Sequence, residues 1–133
     1  MYTVLIVDDE IGFQCLLELV LQRAGYHTLV AGDGAEALEM IRNHHPHLII
    51  TDDDMPKMQG SELCRRLKGD PTLRHIPAII HSASLKMHRP SYRESSRADA
   101  FLSKPSLPRE ILERVRGLIS QAQTVRGEPA RVH

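Results

Sequence analysis

Five residues could do chemistry together, because each stands at the end of a short, largely apolar run. They are Asp8, Asp9, Asp52, Ser82 and Lys104. Carboxylates that converge need a cation, and hard oxygen ligands favour magnesium, which keeps several of its waters. A lysine and a hydroxyl beside the ion could contact further oxygens of a phosphoryl group, while one aspartate acts as nucleophile and becomes an aspartyl phosphate. The residue types therefore predict a magnesium-dependent phosphoryl site.

The stretch TDDDMPKMQG places three carboxylates side by side directly after an apolar run. Like charges this close repel one another, and a charge at the edge of a core is unfavourable unless it is paired. We expect Asp52, at the end of the strand, to point into the acidic pocket, where a metal offsets the repulsion. Because side chains alternate along a strand, we expect Asp53 to face outward and to tolerate substitution.

Alternating strands and helices must position these residues. Five apolar runs predict strands at 4–7, 26–31, 48–51, 78–81 and 100–103. Helical spacing of apolar residues predicts four or five helices between and after them, with Ser61 capping the third, and with Ser106 capping the last and Pro108 in its first turn. The polar segment 84–97, interrupted by Pro90, predicts a fourth helix that is short, broken or mobile.

This alternation predicts an α/β fold, a doubly wound sheet of five parallel strands with helices on both faces, joined by right-handed crossovers. Ligands of such sheets bind beyond the carboxyl ends of the strands, where the strand order reverses. If the order is 2-1-3-4-5, as in flavodoxin-like (βα)5 folds, strands one and three flank that point. Their acidic ends then meet, with Ser82 and Lys104 beside them.

Length and composition indicate a single cytoplasmic domain. The chain has 133 residues, with 17 basic and 17 acidic ones, so no electrostatic footprint for nucleic acid or membrane is evident. No apolar run approaches a membrane span of about 20 residues, and the N-terminus lacks the pattern of a secretion signal. We expect residues 1–123 to form the domain and residues 124–133 a loose tail, and we expect Cys15 and Cys64 to be free, buried thiols.

The eight histidines do not predict a second metal site. The densest group, His44, His45 and His47, precedes the third strand and therefore lies at the end of the sheet opposite Asp52. A solvated turn is the better interpretation of this group. We expect His81, which adjoins Ser82, to serve local packing.

Four motifs in order resemble the receiver domain of two-component response regulators, over about residues 1–122. They are VLIVDDE, LIITDDDMPKMQG, PAIIHSAS and FLSKP, each at a strand end. The resemblance implies that Asp52 is the phosphoacceptor. It implies that Asp8, Asp9 and Asp52, with the backbone carbonyl of Asp54, hold Mg²⁺ or Mn²⁺. We expect no effector domain within this sequence, and the chain resembles a stand-alone receiver or one cut from a longer protein.

The resemblance also implies a switch and partners. Ser82 and Lys104 would act at the phosphoryl group, and Ser82 and Phe101, the latter in a place more often held by tyrosine, would switch the surface of the fourth helix, fifth strand and fifth helix. A sensor histidine kinase or histidine phosphotransfer protein would donate the phosphoryl group, and a downstream protein or a second copy would bind the switched surface. Asp54 and Ser84 would tune the lifetime of the phosphorylated state. Nucleic acid and membrane are not expected partners, and no enzymatic turnover beyond slow self-dephosphorylation is expected.

Two alternatives stay open at this point. A receiver-like binding module could work without phosphorylation, although all five chemistry-bearing residues are kept. A haloacid-dehalogenase-type phosphatase also has an apolar strand followed by Asp-x-Asp, which Asp52 and Asp54 match. That family needs Thr or Val two residues after the second Asp, where this chain has Pro56.

Overall fold

Five parallel strands form one sheet in the order β2-β1-β3-β4-β5, as predicted for a flavodoxin-like fold. The structure is a computed structural model, and it describes residues 1–125. The strands are β1 Thr3–Val7, β2 His27–Ala31, β3 Leu48–Thr51, β4 Ala78–Ser82 and β5 Ala100–Ser103. The order reverses between β1 and β3, whose partners include Val7 and Thr51, so the acidic residues that follow these two strands lie at the same edge.

Helices follow each strand. They are α1 Ile11–Arg23, α2 Gly34–His44, α3 Gly60–Gly69, α4 Pro90–Ser96 and α5 Pro108–Val125, with a 3-10 helix at Leu85–His88 before α4. The fourth helix is therefore short, as predicted, and it begins at Pro90, whose fixed φ suits a first helical turn. Helix α5 includes Thr124 and Val125, which the prediction gave to a loose tail. Residues 126–133 of that predicted tail lie outside the described residues.

Two apolar layers cover the faces of the sheet. Because neighbouring side chains on a strand point to opposite faces, Leu5 and Val7 pack in one layer while Val4 and Ile6 pack in the other. The first layer includes buried residues of α2 and α3, and the second those of α1 and α5. Sheets covered on both faces need nearly continuous apolar strands, which explains why the strand runs are readable in the sequence.

Three local predictions are wrong. Ser61 does not cap α3, since the helix begins at Gly60 and its N-cap is Gln59. Ser61 lies in the first turn, where its backbone N–H donates to the side chain of Asp53. Ser106 does not cap α5, since the helix begins at Pro108 and the Ser106 hydroxyl donates to the carbonyl of Ser103. Cys64 is buried and free, but Cys15 is exposed, because it lies on the solvent side of α1.

The histidine group before β3 is exposed, as expected of a solvated turn. His45 ends α2 in the left-handed region at φ 46°, and Nδ1 of His47 accepts a hydrogen bond from the backbone of Thr3. Within residues 1–125, no helix combines the length and apolar character that crossing a membrane requires.

Candidate functional site

Asp8, Asp52 and Lys104 meet at the carboxyl edge of the sheet. The Nζ of Lys104 lies 2.9 Å from Oδ2 of Asp8 and 3.2 Å from Oδ2 of Asp52. All three side chains are at most 5% exposed. The ends of β1, β3 and β5, distant in sequence, thus form one buried charged cluster, as the strand order predicts.

Four carboxylates surround this point. Oxygens of Asp8, Asp9, Glu10 and Asp52 all lie within 4.8 Å of one another, with Asp9 and Glu10 exposed to solvent. Glu10, which also lies 3.6 Å from Lys104, was not predicted as a site residue. The sequence did carry a signal for Glu10. It is the third of the consecutive acidic residues after β1, and it lies close enough to the first two to reach the same pocket.

The acidic cluster fits a magnesium ion. Its donors are oxygens only, two are buried and two face water, which suits an ion that keeps part of its hydration shell. Lys104 supplies one positive charge against four carboxylates, so a divalent cation would relieve the remaining repulsion. Asp8, Asp9 and Asp52 are the predicted ligands that lie in this cluster.

The electrostatics of Asp52 suit a reacting group. Burial raises the pKa of Asp52, Lys104 acts against this, and the neighbouring charge of Asp8 raises it further. The ionised carboxylate is therefore held at a cost in free energy, and that cost falls when a cation or an electrophile arrives.

Lys104 is held by its surroundings in the charged form. Burial alone would lower its pKa, but hydrogen bonds and charges from Asp8 and Asp52 outweigh this and raise the pKa. Its ammonium lies 4.1 Å from the ring centroid of Phe13 on α1, a cation–π contact. Phe13 was not predicted as a site residue, and its ring packs against the lysine.

Gly60 lets the site loop close on itself. A Cβ at Gly60 would lie 2.1 Å from the carbonyl oxygen of Asp52, so no side chain fits there. The same glycine donates its backbone N–H to the carbonyl of Asp53 at 3.2 Å. The glycine of TDDDMPKMQG is therefore required by the close approach of α3 to the end of β3.

Ser82 lies fully buried at the end of β4, beside the cluster in the strand order. Its hydroxyl oxygen accepts a hydrogen bond from the backbone N–H of Ser84 at 3.1 Å. Ser84 in turn accepts from the N–H of Lys86 at 3.4 Å. The predicted hydroxyl is thus connected, through a short hydrogen-bonded turn, to the 3-10 helix.

The prediction for Asp53 is wrong. Its side chain is fully buried, where Oδ2 pairs with Nζ of Lys86 at 2.8 Å and Oδ1 accepts from the N–H of Ser61 at 2.8 Å. Burial would raise the pKa of Asp53, but the hydrogen bonds from Lys86 and Ser61 outweigh it and lower the pKa. The strand ends at Thr51, so the alternation of side chains on which the prediction rested stops before Asp53.

Asp54 lies at the rim, with its side chain 63% exposed and 3.6 Å from Lys86. Its carboxylate does not belong to the acidic cluster found among the described residues. Ser84 is half-buried beyond β4. Both side chains therefore border the site without entering the charged centre.

Phe101 is half-buried on β5 and contacts α4. Its ring lies 6.2 Å from that of Tyr92, and the guanidinium of Arg93 lies 4.7 Å from its centroid. His81 packs edge-on against Phe13 at 5.9 Å, and burial, followed by the charge of Lys104, lowers the pKa of His81 to about 4. This neutral, buried ring agrees with a packing role for His81.

A family model matches most of the chain. The model describes the response regulator receiver domain, and it matches residues 4–116. The matched range contains every predicted site residue, and it contains the five strands except for Thr3, the first residue of β1.

Relatives and solved structures agree with this match. The polar-differentiation response regulator DivK of Brucella ovis is 36% identical over 123 residues, covering 90% of this chain and 98% of DivK. A putative response regulator from Chloroflexus aurantiacus superposes with a TM-score of 0.83 at 33% identity, covering 89% of this chain and 97% of that one. The response regulator TrrA of Thermotoga maritima, solved in complex with Mg²⁺-BeF, gives 0.80 at 28% identity, covering 89% and 99%.

Proposed function

This chain belongs to the response regulator receiver domain family, and from that premise we propose that Asp52 is the residue that accepts the phosphoryl group. Receiver domains of two-component systems take a phosphoryl group and pass its state to partners, and in general they are not enzymes. They bind Mg²⁺ in an acidic pocket. Membership in this family argues against the haloacid-dehalogenase-type phosphatase.

One observation carries the proposal. Asp52 is buried beside Asp8 and Lys104, and its ionised form is disfavoured by burial and by a like charge. Asp53 and Asp54, the adjacent carboxylates, have their charges matched by Lys86 or exposed to water. Of the three, Asp52 is the carboxylate whose surroundings favour a change of its chemical state.

In the proposed transfer, an oxygen of Asp52 attacks the phosphorus of a phosphohistidine. The P–N bond breaks, its electron pair stays on the imidazole, and a P–O bond forms to Asp52. Asp8, Asp9 and Asp52, with the backbone carbonyl of Asp54, would hold Mg²⁺, or Mn²⁺ in its place. That ion neutralises charge on the phosphoryl oxygens when it is bound.

Lys104 and Ser82 complete the proposed site. Lys104, already held between Asp8 and Asp52, would pair with a second phosphoryl oxygen as negative charge accumulates. The hydroxyl of Ser82 would donate to a third oxygen, turning from its present role as acceptor for the Ser84 N–H. That change, together with a packing change at Phe101, would alter the α4-β5-α5 surface that a downstream protein or a second copy binds.

The exposed face of α1 supports docking of the phosphodonor. Ile11 is 73% exposed and Leu19 is 50% exposed, two turns apart on the helix that begins beside the acidic cluster. We infer that a sensor histidine kinase or a histidine phosphotransfer protein contacts this face. Ile11→Glu should slow transfer from a kinase and leave transfer from acetyl phosphate unchanged.

The test is uptake of phosphoryl from acetyl phosphate, measured by intact mass. With Mg²⁺ present, the parent should gain one phosphoryl group, and the gain should be lost when EDTA removes the metal. Asp52→Asn should gain none. Asp53→Asn is the matched control, because it removes the adjacent buried carboxylate, and it should still gain the group.

A parent that takes no phosphoryl under these conditions, and that binds its partners equally with and without beryllofluoride, would favour the binding module that works without phosphorylation. Equal uptake by Asp52→Asn would show that the acceptor lies elsewhere.

A further inference from the structure

The residue that follows Asp52 links the acidic cluster to α4. The backbone N–H of Asp53 donates to Oδ1 of Asp52 at 2.8 Å. Its own carboxylate is fully buried and pairs with Lys86 at 2.8 Å. One residue thus contacts the acceptor with its main chain and the 3-10 helix with its side chain.

A second connection reaches the same lysine. Ser82 accepts from the N–H of Ser84 at 3.1 Å, and Ser84 accepts from the N–H of Lys86 at 3.4 Å. Lys86 is therefore tied to the site through its side chain, by Asp53, and through its main chain, by the Ser82 turn.

Lys86 also lies near an aromatic pair, Tyr92 and Phe101. Its Nζ lies 5.8 Å from the ring centroid of Tyr92 on α4, and the Tyr92 ring lies 6.2 Å from Phe101. Burial, and then the charge of Asp53, raises the pKa of Tyr92, which agrees with the proximity of that carboxylate. Asp53, Lys86 and Tyr92 therefore form one contiguous cluster.

We propose that Asp53 and Lys86 are positioning residues that transmit the phosphorylation state of Asp52 to Tyr92 and Phe101. The inference rests on the proposed function of Asp52. Phosphorylation removes the negative charge from the Asp52 oxygen that accepts the Asp53 N–H. A hydrogen bond to a charged acceptor is about twice as strong as one between neutral groups, so this bond weakens and the Asp53–Lys86 pair shifts.

The test uses fluorine NMR on protein labelled with 3-fluorotyrosine, since the chain has only three tyrosines. Tyr92→Phe assigns the Tyr92 resonance, and magnesium with beryllofluoride stands in for phosphorylation. In the parent, beryllofluoride should shift the Tyr92 resonance. In Lys86→Met, that shift should fall by about half or more, since the pair that couples the two sites is gone.

Lys68→Met is the matched control. Lys68 pairs with Asp99 at 2.7 Å, another lysine–aspartate pair, at the opposite edge of the sheet. It should leave the beryllofluoride shift of Tyr92 unchanged. Lys86→Arg keeps the charge and should restore most of the shift that Lys86→Met loses.

A second variant guards against a folding defect. The double variant with Asp53→Asn and Lys86→Met leaves no buried unpaired charge, and it should lose the Tyr92 shift while still taking phosphoryl from acetyl phosphate. A full Tyr92 shift in Lys86→Met and in the double variant would overturn the inference and leave the proposed function intact. Failure of the parent to take phosphoryl would instead overturn the proposed function, and the inference with it.

Discussion

Asp52 and Asp53 are consecutive, both buried, and opposite in electrostatics. Asp52 faces the acidic cluster of Asp8, Asp9 and Glu10, and its pKa is raised. Asp53 faces Lys86 and Ser61, and its pKa is lowered. One step along the chain separates a carboxylate whose charge is disfavoured from one that pairs with a lysine at 2.8 Å.

On the proposed function, this difference separates the reacting carboxylate from a structural one. Stability alone would favour surroundings like those of Asp53 at both positions, because a buried charge costs free energy unless it is paired. At Asp52 the chain keeps an excess of negative charge, which a metal and a phosphoryl group can use. The five predictions below test whether the two regions differ in this way.

The largest effect should come from Lys104. Lys104→Met would leave Asp8 and Asp52 buried without their cation and should destabilise the metal-free protein by about 3 kcal/mol. Urea unfolding measures this. Lys68→Met should cost only about 1 kcal/mol, since its partner Asp99 is partly exposed. Equal losses in the two variants would contradict the special position of Lys104.

Asp53→Asn should destabilise the protein by about 2 kcal/mol, because it removes the charge that pairs with Lys86 and weakens the bond from Ser61. Chemical unfolding with and without magnesium measures the loss, which should be the same in both. A variant as stable as the parent would restore the expectation that Asp53 tolerates change.

Asp52→Asn should change the stability in the opposite direction. It should stabilise the metal-free protein by about 1 kcal/mol, because it removes a disfavoured charge. Magnesium should stabilise the parent more than the variant, so the difference should shrink as the ion is added. Thermal unfolding across a magnesium series gives the result, and a variant less stable than the parent without metal would refute it.

Acidification should bring the stabilities of Asp52→Asn and Asp53→Asn closer to that of the parent, the first from above and the second from below. The lowered pKa of Asp53 contributes stability above the ordinary value of 3.8, and this is lost as pH falls through the folded pKa. The raised pKa of Asp52 gives stability that is present below 3.8 and lost as pH rises through its folded pKa. The unfolding free energies of the two variants and the parent, measured at several acidic pH values, should therefore converge as pH falls. A difference between variant and parent that grows as pH falls would be inconsistent with these directions.

The smallest effect should come from the rim. We propose that Asp54 and Ser84 set how long the phosphorylated state lasts, since both border the site without entering its centre. Replacing both with alanine should change the decay rate of phosphorylated protein by about threefold, which is less than 1 kcal/mol in barrier height. An unchanged decay rate would sink this hypothesis.

The fold and the centre of the site were readable from sequence for a physical reason. Strands buried on both faces are apolar throughout, so the first charged residue after each one marks a strand end. In a parallel sheet these ends share one edge, which is why Asp8, Asp52 and Lys104 could be brought together without a structure.

The surroundings of these residues were not readable. Asp53 was misplaced because β3 stops at Thr51, and a two-residue alternation says nothing about the turn that follows. Lys86 lies in a polar segment with no clear periodicity, and only its contact with Asp53 shows its importance. Cys15 was misplaced because α1 is amphipathic only in part and exposes several apolar side chains, Ile11 and Leu19 among them.

The most direct test is to locate the phosphoryl group itself. Borohydride reduces an aspartyl phosphate to homoserine, which peptide mass spectrometry places at one residue. After phosphorylation with acetyl phosphate and magnesium, homoserine should appear at position 52 alone. Homoserine at position 53 or 54, or phosphoryl uptake with no reduction at position 52, would contradict the assignment of Asp52 as the acceptor.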